Sequence, residues 1–94
     1  MIVYRIQPQN ADLHGIETVT SNDELAGGVH VFGSIPEVYG CREWFNEAGV
    51  ELVEIECQKG DYEGVTLRKG RGSIVKRTAF ADIAAIVAWC EENM

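Results

Sequence analysis

Hydrophobic and polar positions alternate from the second residue. In "IVYRIQ" Ile2, Tyr4 and Ile6 share one side, and Val3, Arg5 and Gln7 share the other. This predicts a strand with one strongly apolar face, stopped by Pro8. Residues 9–20 are mixed and polar and read mostly as loop. "SNDELAGG" reads as one helical turn, with Ser21 and Glu24 at capping-box spacing and Gly27-Gly28 ending it. "VHVFG" (Val29 to Gly33) is a second short strand. The pattern then changes period. Ser34 can accept from an orphan amide, Pro36 fits the first turn, and Glu37 holds the capping-box position, so a helix is predicted from Ile35 to about Ala48. Val38, Cys41, Trp44/Phe45 and Ala48 form its apolar stripe, and Gly49 suits its C-terminal end. Gly40 inside that helix costs about 1 kcal/mol relative to Ala.

"VELVEIECQ" (Val50 to Gln58) is the clearest strand. Val53, Ile55 and Cys57 point one way, and Glu54, Glu56 and Gln58 the other. "KGDYEG" reads as a loop. "VTLRK" (Val65 to Lys69), the turn "GRG" and "SIVKRT" (Ser73 to Thr78) then complete an antiparallel meander, because the connections are short. That arrangement sets Glu54 and Glu56 across from Arg68 or Lys76. The last helix is expected over Ala79–Asn93, capped by Thr78, with Phe80, Ile83/Ala84, Val87 and Cys90 buried and Ile86 and Trp89 widening the stripe. The sum is a single α+β domain spanning residues 1–94: a two-layer fold, with a mostly antiparallel sheet of four to five strands packed on one face by two amphipathic helices.

Composition narrows the function. Hydrophobic residues make up 46% and charged residues 24%, as in a globular chain. No apolar run approaches the roughly 20 residues of a membrane span. The opening "MIVYRIQPQN" lacks a basic region followed by an apolar stretch, so a cytoplasmic protein is expected. Cys41, Cys57 and Cys90 are odd in number and far apart, which predicts reduced thiols. They share no metal-ligand spacing with His14 or His30, so neither metal nor cofactor is expected. Net charge is −7, which argues against direct binding to nucleic acid. The charge is also segregated. Glu37, Glu43, Glu47, Glu51, Glu54, Glu56, Asp61 and Glu63 crowd the middle, whereas Arg68, Lys69, Arg71, Lys76 and Arg77 crowd the next segment.

Catalytic motifs are absent: no P-loop, no G-x-G-x-x-G, no G-x-S-x-G and no H-E-x-x-H occurs. Cys41 with His30, and Glu54 with Glu56, are the residue pairs with catalytic potential, but each has an ordinary structural reading. His30 alternates with Val29 and Val31 and so faces away from them. Two resemblances bear on function. In size, acidity and lack of motifs, the chain resembles accessory proteins of phages and mobile elements, anti-CRISPR inhibitors among them. That implies a non-enzymatic protein, monomeric or a small homo-oligomer, that binds a basic surface such as a CRISPR effector subunit. Glu43, Glu47, Glu54, Glu56, Asp61 and Glu63 would make the contacts. The order "VYRI", "GGVHVFGSIPE", helix, "VELVEIEC" also resembles the opening of small ADP-ribosyltransferase-like domains. That implies a cleft for NAD lined by Arg5, His30, Phe32 and Ser34, with a late catalytic glutamate drawn from Glu54, Glu56 or Glu63. A third expectation is an assembly subunit with its contact at Trp44 and Trp89.

Overall fold

The computed structural model describes residues 1–8, 28–42, 50–68 and 71–94. The helical turn expected at residues 21–28 (apart from Gly28, which begins β2), the 9–20 loop, the second half of the Ile35–Ala48 helix with Trp44 and Phe45, and positions 69–70 of the expected strand and turn lie outside those residues. Strand β1 is Ile2–Pro8, β2 is Gly28–His30, β3 is Val50–Glu56, β4 is Tyr62–Glu63, β5 is Thr66–Arg68 and β6 is Ser73–Phe80. Helix α1 is Ile35–Gly40 and α2 is Ile83–Asn93. The α+β class is as expected, but the strands form two antiparallel sheets of three rather than one of four to five. Their orders are β1-β3-β6 and β2-β5-β4.

This departs from the expected meander for a physical reason. β3 is buried on both faces, so it takes the centre of its sheet. Val53 and Ile55 have no exposure, and they pack with Val3, Val31, Cys57 and Leu67 between the two sheets. Val50 and Leu52 point the opposite way, into a second cluster with Phe32, Val38, Phe80, Ile86 and Cys90. Helices therefore cover one face of the first sheet and the second sheet covers the other, where a two-layer fold was expected. β3 pairs with β1 from Ile2↔Glu56 to Pro8↔Val50, and with β6 from Val50↔Phe80 to Glu56↔Ser73. β4 and β5 lie in the chain between β3 and β6 but join the other sheet. The chain thus passes from one sheet to the other between Arg68 and Ser73; Gly72 takes φ of 85°, a conformation that glycine adopts without a Cβ clash.

Local chemistry explains the boundaries. Ser34 caps α1 by accepting from the Glu37 amide at 3.4 Å. The described helix ends at Gly40, with Cys41 as its C-cap, so Gly40 is its last residue rather than an interior one. β6 runs on through Phe80, because it stays paired with β3 as far as Val50. The last helix therefore starts at Ile83, not Ala79. Asp82 caps it in place of Thr78, its carboxylate accepting from the Ala85 amide at 3.0 Å. The buried stripe of α2 centres on Ile86 and Cys90, flanked by Ala85 and Trp89, while Ala84 is exposed. "KGDYEG" is not a plain loop: Lys59–Asp61 forms a 3₁₀ turn, and Tyr62 and Glu63 make β4.

Leu52 and Thr78 are register partners with opposite consequences. Leu52→Ala removes a fully buried side chain and should cost about 2–5 kcal/mol in urea unfolding. Thr78 Oγ1 is buried and has no hydrogen-bond partner. Thr78→Val should be neutral or stabilising by up to about 1 kcal/mol, and a clear loss of stability in that variant would contradict the assignment.

Candidate functional site

β2 runs into residues that join the two sheets. Tyr4 N–H donates to the Phe32 carbonyl at 2.8 Å, and Phe32 N–H donates back to Tyr4 at 2.7 Å. Val31 N–H donates to the Val65 carbonyl at 2.8 Å. The chain then turns at Gly33 and enters α1. A cavity of about 390 Å³ opens at this corner, lined by His30, Val31, Phe32, Glu37, Gly40, Cys41 and Val65. Its walls are mostly apolar, and among the described residues its polar side chains are an imidazole, a carboxylate and a thiol. Size and lining suit a small ligand.

Each wall has a local cause. The His30 and Phe32 rings meet edge to face, with centroids 5.0 Å apart and planes at 79°. They sit two residues apart in extended chain and so share a side. Gly40 leaves space, for a Cβ placed there would meet nothing within 4 Å. Gly33 does the reverse. A Cβ at that position would lie 2.7 Å from the Tyr62 hydroxyl and 3.0 Å from Glu37 Oε2. Only glycine lets those two groups converge beside the cavity. Burial pushes the Tyr62 phenol above its ordinary value, and the nearby Glu37 charge adds to the shift.

Of the four residues expected to line a cleft, His30 and Phe32 do so. Arg5 and Ser34 do other work. Arg5 is buried, and its guanidinium donates to the His30 carbonyl at 2.8 Å and to Gln7 Oε1 at 3.3 Å. It straps β1 to β2 behind the cavity. The Ser34 hydroxyl is taken up in capping α1. Cys41, half-buried at the C-cap of α1, also lines the cavity. Glu37 and Val65 also line it, and sequence reasoning missed both for this role. Glu37 was accounted for as a helix-start residue, and Val65 comes from a distant strand end, so no local signal marked either.

The face of β1 read as polar is buried, and it gathers a second polar group. Gln7 Nε2 donates to Glu51 Oε1 at 2.5 Å, and the same oxygen lies 3.6 Å from an Arg77 nitrogen. Arg5, Gln7 and Glu51 are each at most 7% exposed, so the charge on Glu51 is met by an amide and a guanidinium.

The acidic residues are more dispersed than a single patch. Glu43 and Glu47 lie outside the described residues. Glu54 is half-buried, across from Tyr4 and Lys76. Glu56 is exposed and bonds the Met1 amine at 3.1 Å. Asp61 accepts from the Gln58 amide and lies 3.8 Å from Arg71. Glu63 is exposed on β4. Trp89 packs on Phe80 at 6.3 Å. Among the described residues, no three His, Cys, Asp or Glu side chains come together as a metal site, and no helix is long and apolar enough to cross a membrane. Comparison with protein-family models, with curated proteins and with solved structures finds no match.

Cys57 and Cys90 are buried, and burial is the main cause that pushes both thiols above their ordinary value of 9.0. Their protonated forms are favoured by the fold. That contribution is complete below the ordinary thiol value and is lost as pH rises through the raised folded values. The melting temperature should therefore drop between neutral pH and about pH 10.5, and the drop should shrink in Cys90→Val; an unchanged drop in that variant would remove Cys90 as a cause.

Proposed function

We propose that this chain is a binding domain that takes a small flat ligand in the cavity between β2 and α1. The observation that carries the reading is the convergence at one apolar cavity of His30, Phe32, Glu37, Gly40 and Cys41. The paired His30 and Phe32 rings offer an aromatic wall, and Glu37 offers an acceptor for a ring amine or amide. A nucleobase or nicotinamide ring has that chemistry. NAD is therefore the first ligand to try, in keeping with the ADP-ribosyltransferase-like layout.

Thermal shift with NAD, adenosine and nicotinamide tests the proposal. A ligand bound only by the folded state adds about 2.7 kcal/mol at 100 times its Kd. The shift should vanish in His30→Ala. Gly40→Leu points its side chain into open space, so it should leave the unliganded melting temperature intact or higher while abolishing the shift. No shift with any of the three compounds, or a shift that survives both substitutions, would remove the cavity as the site.

A second reading is supported by the net charge of −7 and by the exposure of Glu56 and Glu63. In it the chain binds a basic protein surface stoichiometrically, as an inhibitor of a nucleic-acid-targeting complex of the CRISPR type. Glu54 and Asp61 each lie two residues before one of them along the chain, and Glu43 and Glu47 extend the acidic set. In a cleavage assay with a purified CRISPR effector, Glu56→Lys combined with Glu63→Lys should weaken inhibition and flatten its salt dependence. Inhibition unchanged by the double variant would exclude the electrostatic form of this reading.

A further inference from the structure

β6 is an edge strand, and it carries an unusual charge for this chain. Among the described residues it pairs with β3 alone. Among the described residues, no hydrogen bond reaches Ser73–Ala79 from outside the sheet. Val75, Lys76 and Arg77 are consecutive and all exposed, so neither face is covered there. Residues 64–81 hold five of the eight basic side chains in the chain and none of the fifteen acidic ones. Lys76 stands across from Glu54 but makes no ion pair among the described residues. Arg77 lies near Glu51, yet its side chain remains 41% exposed.

Between Lys76 and Ile74 the register slips, leaving Val75 as the extra residue of a β-bulge, 57% exposed. Charged residues and bulges commonly guard an edge against indiscriminate pairing. Here the guard is selective by sign. A second copy docking along β6 would set this basic ribbon against itself, and like charges directly opposite are destabilising. An acidic strand meets complementary charge at Lys76 and Arg77 and an apolar contact at Val75.

We propose that β6 is a β-augmentation site that adds an extended, acidic segment of a partner protein as a fourth strand of the β1-β3-β6 sheet. Backbone hydrogen bonds supply affinity, and the basic side chains select the sequence. This surface is distinct from the cavity at His30 and does not depend on it.

The probe is an acetylated eight-residue peptide alternating Glu and Val, with two controls: the same peptide N-methylated at alternate residues, and a Lys/Val peptide of the same length. Binding of the acidic peptide should slow amide exchange at alternate residues of Ser73–Ala79. Both controls should fail to bind, and Lys76→Ala should weaken the acidic peptide about tenfold, with a smaller salt dependence. N-methylation leaves the protein unaltered, so that arm is informative even if a variant folds poorly. The proposal is overturned by equal binding of the N-methylated or Lys/Val peptide, by no binding at millimolar peptide, or by a concentration-dependent dimer that protects the same amides.

Discussion

The fold depends on burying both faces of β3. An ordinary edge or surface strand has one apolar side, but here Leu52 and Val53 are adjacent and both fully buried. Two apolar layers must therefore meet at one strand. The helices supply one through Val38, Ile86 and Cys90, and the second sheet supplies the other through Val31 and Leu67. Everything else follows from that demand. β1 and β6 must flank β3 because it needs partners on both edges, and β4 and β5 must leave the first sheet to cover its far face.

The burial demand also explains the polar groups inside. β1 contributes Arg5 and Gln7 to the same face as Val3, so their polar heads must find partners where water is scarce. Arg5 finds the His30 carbonyl, and Gln7 finds Glu51. These bonds do more than satisfy donors. The Arg5 bond holds β2 against β1 just before Phe32 crosses to the first sheet, and so it fixes the corner where the cavity lies. The geometry of the candidate site is set partly by a residue that does not line it.

Much of the local structure was legible in the sequence. Alternation marked β1 and β3, and Ser34 with Pro36 marked the start of α1, because caps and strand faces are short-range facts. What failed was long-range. The alternation in β1 gives it one strongly apolar face, Ile2, Tyr4 and Ile6, but Val3, Arg5 and Gln7 are the deeply buried set. Polar residues in a strand show its period and not which face another sheet will cover. The supposed meander failed for the same reason: short connections favour sequential neighbours, yet β5 prefers β2, a pairing no local signal announces. Thr78 and Asp82 are both plausible caps by type, and the length of the β3–β6 pairing decided between them. At the candidate site, the sequence marks His30 by the side of its strand that it occupies and Gly40 by its cost inside a helix, and both line the cavity. Glu37 and Val65 did not stand out, since each had a sufficient local role.

The order β1-β3-β6 has a kinetic side. β1 and β3 lie far apart in the chain, with Ile2 opposite Glu56, whereas β3 and β6 enclose a shorter loop. Closing the longer loop costs more chain entropy before any contact repays it. The β3–β6 ribbon with α2 is thus the natural early structure in refolding, and β1 docks late. During synthesis the order of appearance is reversed: β1 emerges first and has no strand to pair with until β3 follows it. For that interval Ile2, Tyr4 and Ile6 are an unpaired apolar stretch, and Arg5 and Gln7, set among them, are the polar residues that help keep it in solution until its partner arrives.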